Sequence, residues 1–175
     1  GLTPCYSIKG STDPKVWGTV PTEWDDPLCD TWDAATCNWN ANGYRLPTEA
    51  EWEWLARGGE NYEYPGSDTI DDVAWYDDNT EEIEKSGTRD VKSKAPNGYG
   101  LYDMSGNVYE WCWDWGGGEI SDSTPADGAA TPPNRVLRGG SWYYPSSYCC
   151  VTTREWFGVD SRHYMYGFRV VRTAK

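Results

Sequence analysis

Apolar residues recur at helical spacing in one place. Within GYRLPTEAEWEWLARGG (43–59), Trp52, Leu55 and Ala56 fall on one stripe, Thr48 and Glu51 have the spacing of a capping box, and Gly58-Gly59 supplies a stop. This predicts a helix over 49–57. Residues 135–138, running into Gly139-Gly-Ser-Trp142, and residues 167–172 alternate or cluster apolar and β-branched side chains, which predicts two strands. A long acidic excursion over 60–98 contains Val73-Ala-Trp-Tyr76, a short piece predicted to be buried. Stretches 1–40, 116–134 and 143–166 hold neither period and are read as irregular, and no internal repeat is present. Pattern alone reaches an irregular α+β domain.

Composition changes that picture by saying what fills the core. The 175 residues suit one domain. Aliphatic residues are sparse, Phe occurs twice, and the formal charge is −13, but 12 Trp and 13 Tyr supply the missing bulk together with polar handles that need partners. Fifteen basic against 28 acidic residues argue against binding nucleic acid. No stretch approaches the roughly 18 apolar residues of a membrane span. A single histidine, His163, excludes HExxH zinc sites and two-histidine iron sites within this chain. The six cysteines include no CxxC pair, and their number permits disulfides without requiring them.

Three blocks, GYRLPTEAEWEWLARGG, NGYGLYDMSGNVYEWCWDW (97–115) and RVLRGGSW…GFRVVR (135–172), together resemble the formylglycine-generating-enzyme-like, or sulfatase-modifying-factor, domains. The resemblance implies a C-type-lectin-like fold of the α+β class, rich in irregular structure, spanning 1–175 as one domain that lacks the family's N-terminal part. Oxidase members of that family bind copper(I) through two thiolates in the block after GGS. Tyr144 and Cys149 stand at those two places, and a phenol cannot replace a thiolate. No copper is therefore expected, and the chain is not expected to be an enzyme; the alternative is a copper oxidase of the formylglycine-generating type.

Segment 143–166 departs from ordinary members. Where they are polar, it holds Tyr143, Tyr144, Thr153, Glu155, Trp156, Phe157, His163, Tyr164, Met165 and Tyr166. Tyr and Trp on loops beside a rigid scaffold have the character of a paratope. The pattern resembles the variable proteins of diversity-generating retroelements, lectin-fold proteins that include a spirochaete surface lipoprotein and whose C-terminal repeat is diversified. That resemblance implies a variable repeat over 135–172. It also implies a ligand-binding face made of those ten side chains, a protein or glycan partner, and display on a bacterial outer membrane by a lipid anchor upstream of this chain. Arg154 and Arg162 are read as braces for the loops, and Trp142, Phe168 and Val170 as core or strand residues.

One metal candidate remains. Asp103 and Glu110, with the carbonyls of Gly106 and Val108 between them, are hard oxygen donors of the kind calcium prefers, and the resemblance places a structural Ca²⁺ there. The alternative is that the two carboxylates are satisfied by backbone N–H groups.

Overall fold

The computed structural model describes residues 1–22, 26–80, 87–117 and 134–173. In chain order its elements are β1 (Tyr6–Ser7), α1 (Cys29–Asp33), β2 (Thr36–Cys37), α2 (Glu49–Arg57), α3 (Ile70–Val73), β3 (Ala74–Trp75) and α4 (Asp77–Thr80). There follow β4 (Ser105–Gly106), β5 (Tyr109–Trp115), β6 (Asn134–Arg138), β7 (Arg154–Gly158) and β8 (Tyr166–Gly167). The principal sheet has the order β7-β6-β5-β8, antiparallel except where β8 runs parallel to β5. Most of the predicted loop 116–134 lies outside the described residues.

Helix α2 forms where its signals stand. Thr48 accepts from the Glu51 backbone N–H, and Glu51 accepts from that of Thr48, closing the capping box, a device worth about 1 kcal/mol. Gly58, in the left-handed conformation with φ 60°, ends the helix, and a Cβ there would meet the Asn97 side chain. The buried stripe of α2 is Glu49, Trp52 and Ala56, so a carboxylate has joined the apolar residues.

That carboxylate decides how the helix meets the sheet. Along β5, Glu110, Cys112 and Asp114 point toward α2, and the opposed residues Arg138 and Arg154 share their face. Glu49 accepts a forked pair from Arg154, at 2.8 Å from Nε and 2.6 Å from Nη2. It also lies 3.3 Å from the Nε of the fully buried Arg138, an ion pair whose N–H is not aligned for a hydrogen bond. Arg138 in turn donates to Glu53. Asp114 accepts from the Glu49 backbone N–H at 2.7 Å, placing an anion on the positive end of α2, while burial pushes its carboxyl above the usual range.

The apolar core is split. Trp52, Ala56, Met104, Cys112, Val136 and Val151 pack between helix and sheet, and Tyr64, Val73, Ala74, Tyr76 and Cys149 form a second cluster that includes the predicted buried piece. The C-terminal strand prediction needs correction. Only Tyr166–Gly167 pairs as strand, and Val171 makes an isolated bridge to Arg45. Beyond it Arg169 turns inward to Glu110, so the alternation sends Phe168 (69% exposed) and Val170 (50%) outward.

Substituting Glu49→Gln should destabilise the fold by about 3 kcal/mol, because it strands Arg138 and Arg154 with too little negative charge. Urea denaturation should show a lowered midpoint with an unchanged slope.

Candidate functional site

The face of the sheet opposite α2 carries the site. Period-two alternation puts Tyr109 and Trp111 of β5 there, and the register adds Leu137 and Arg135 of β6 with Glu155 and Phe157 of β7. Strand β8 then lays Tyr166 beside Tyr109. The turn after Gly139-Gly140 brings in Tyr143 and Tyr144. Both glycines have positive φ, and a Cβ on Gly140 would meet the Cys149 sulfur at 2.6 Å.

These rings form one connected group. Tyr109 meets Tyr144 at 5.7 Å and Tyr166 at 6.4 Å, each edge-on. Phe157 meets Tyr166 at 5.4 Å, His163 meets Tyr164 at 3.9 Å and Tyr166 at 5.4 Å, and Tyr143 meets Tyr144 at 5.9 Å and Tyr164 at 6.5 Å. Tyr143, Phe157, His163 and Tyr164 are exposed, and Tyr144, Glu155 and Tyr166 are half-buried. Seven of the ten sequence-predicted residues are thus brought together.

Three are not. Met165 is 4% exposed, its backbone carbonyl accepting from the Tyr109 N–H, because the chain enters β8 with that side chain inward. Trp156 pairs with Val136 on the α2 face and covers Gly116, so its exposed edge looks away from Glu155 and Phe157. The Thr153 hydroxyl donates to the Ser147 carbonyl. Residues of the face not singled out from sequence include Tyr109 and Trp111, hidden within a framework block, and Tyr148, whose ring lies 4.8 Å from that of Tyr144. The readable signal for Tyr109 was its spacing of two from Trp111. Arg162 donates to the carbonyls of Pro21 and Thr22, as a brace would, and Arg154 donates to the Glu49 carboxylate.

Tyr144 and Cys149 offer little to copper. Cys149 is fully buried, burial pushes its thiol up to about 12, and its neighbour Cys150 places Sγ 3.5 Å from a Glu63 oxygen in a different environment.

The carboxylates of the calcium candidate have N–H partners. Arg169 forks onto Glu110, at 2.5 Å from Nε and 2.7 Å from Nη2, and also donates to the carbonyls of Tyr102 and Asp103. Trp52 Nε1 donates to the same Glu110 carboxylate at 2.7 Å, and Asp103 accepts from the Lys92 backbone N–H at 2.9 Å. A guanidinium therefore already meets the Glu110 carboxylate, and the Asp103 carboxylate takes a backbone N–H. Among the described residues no group of three or more His, Cys, Asp or Glu is placed to hold a metal.

Fold and site together define a lectin-type scaffold bearing an exposed aromatic face. The sulfatase-modifying factor enzyme 1-like domain matches residues 24–174, and the chain belongs to that family. Its fold is the C-type-lectin-like fold of formylglycine-generating enzymes, and the structure of Treponema denticola variable protein 1 superposes with a TM-score of 0.82 at 40% identity, covering 97% of this chain and 62% of that one. Chaperone protein LppX of Paenibacillus barcinonensis is 38% identical over 98% of this chain and 62% of its own length. The formylglycine-generating enzyme of Streptomyces coelicolor is 38% identical over 82% and 51%. The chain spans less than two thirds of the length of each of these relatives.

Two outcomes follow. Arg169→Ala should cost about 3 kcal/mol in thermal or urea unfolding by stranding Glu110. Native protein treated with iodoacetamide at about pH 8 should leave Cys149 unlabelled by mass spectrometry, since its thiol stays protonated and covered.

Proposed function

We infer that this domain is a non-catalytic binding module of the variable-protein kind, displayed on a bacterial surface and recognising a protein or glycan. The observation that carries the reading is the connected face of Tyr143, Tyr144, Glu155, Phe157, His163, Tyr164 and Tyr166. Monomeric surfaces rarely expose so many large rings together without a partner, and Tyr and Trp give wide contact for little side-chain entropy. The similarity to Treponema denticola variable protein 1 supports a ligand-binding role. Kinship with formylglycine-generating enzymes favours the second reading, a copper oxidase, but that chemistry needs a thiolate where Tyr144 stands.

The two readings part in one assay and one survey. Copper-loaded protein mixed with a sulfatase-type cysteine peptide should yield no aldehyde; turnover that depends on Cys149 would restore the oxidase. Sequencing the gene across isolates should show changes concentrated in the codons of the face, with those for Gly167, Phe168 and Arg169 constant. Uniform codons across the face would leave an ordinary lectin-fold binding domain.

A further inference from the structure

We propose that the small cleft at the foot of the aromatic face, between Tyr109, Tyr144, Tyr148, Glu155, Phe157 and Tyr166, takes the primary ammonium end of a ligand side chain, as lysine presents. This rests on the face being the binding surface and assigns that surface a ligand chemistry.

The cleft encloses about 80 Å³, room for a few waters or the end of an unbranched side chain. Its walls are rings set at steep angles: 75° between Tyr109 and Tyr144, 75° between Tyr109 and Tyr166, and 44° between Tyr144 and Tyr148. Rings arranged so line the cleft with aromatic surface, which suits a cation. Among the described residues the single formal charge lining the cleft is the Glu155 carboxylate. An anion would be repelled by it, and a neutral ligand would cover the carboxylate without compensating it.

Tyr109 selects among cations. It is 2% exposed, and among the described residues its hydroxyl has no hydrogen-bond partner, an uncommon condition for a buried polar group. Burial first, and then the Glu155 charge, raise its pKa well above the ordinary phenol value, so the hydroxyl stays neutral and its oxygen can accept a proton donor. A primary ammonium has N–H groups to give, to Tyr109 and to Glu155. A quaternary ammonium has none and would leave the phenol orphaned. Tyr109 belongs to the β5 framework, whereas Glu155 lies in the segment that distinguishes this chain from ordinary relatives.

The test uses n-butylammonium, tetramethylammonium and 1-butanol at matched ionic strength, read by amide chemical shifts and Trp fluorescence. Butylammonium should shift Glu155, Phe157 and Tyr166 and bind at least about tenfold more tightly than either analogue. Glu155→Gln should abolish binding, and Tyr109→Phe should weaken it several-fold with no loss of melting temperature, because among the described residues the hydroxyl has no partner. Equal binding of the three probes, no shifts with butylammonium, or undiminished binding by Glu155→Gln would overturn the proposal. A phage-displayed peptide library panned on the same protein separates this from the wider reading. Lysine-containing binders lost in Glu155→Gln support the cleft. Binders lost in Tyr164→Ser but indifferent to Glu155→Gln overturn the cleft and keep the face, and binders indifferent to every face residue count against both.

Discussion

Glu49 ties the molecule together. Its carboxylate, at the buried N-terminal end of α2, holds Arg154 of β7 directly and Arg138 of β6 by charge, and its backbone N–H is taken by Asp114 of β5. Three strands are thereby referred to one helical turn. In a chain with few aliphatic side chains the apolar cluster around Trp52 is small, and forked guanidinium–carboxylate pairs add to it at the cost of desolvating each charge. Such pairs also do something that apolar contact does not. A leucine stripe tolerates sliding by a fraction of a turn, whereas a planar fork is satisfied at one angle and one register.

The same device recurs on the neighbouring strand. Arg169 reaches from beyond β8 to Glu110 and to two loop carbonyls, and Trp52 of α2 donates to the same carboxylate. Helix, central strand and C-terminal segment are joined around one anion. Among the described residues this anchoring lies on the α2 face and the adjoining loop, so the helix is fixed without the exposed side chains of the opposite face. Its side chains can be large, aromatic and unlike one another without loss of strand register.

That division explains what the sequence made legible. The capping box and the glycine stop are local, so α2 was readable residue by residue, and the buried piece at 73–76 was visible as an apolar island in acidic surroundings. Strand β7 was hidden because its pattern, Arg154-Glu-Trp-Phe, alternates between an inward charge and an outward charge rather than between apolar and polar. The C-terminal stretch misled for the same reason. Phe168 and Val170 have the look of the inward set, but Arg169 has a buried carboxylate to meet, and a period of two then places its neighbours outside. Met165 and Trp156 fell on the wrong side of the expected face because a run of large residues says nothing about which of them the strand turns inward. The aromatic cluster as a whole was legible from the number of large rings crowded into 143–166.

The face that results has two layers with different obligations. Tyr109 and Trp111 belong to β5, which is paired on both sides, and they form a floor whose position is fixed by the register of the sheet. Tyr143, Tyr144, Glu155, Phe157, His163 and Tyr164 stand on or around that floor from the connecting segments and the edge strand. Exchanging one of the upper residues changes shape and charge locally, while the floor still presents rings and a phenol at constant positions. A binding surface built this way can alter what it prefers through a residue such as Glu155 without rebuilding the site. The chain's overall negative charge adds long-range attraction to whichever cationic ligands Glu155 favours at close range.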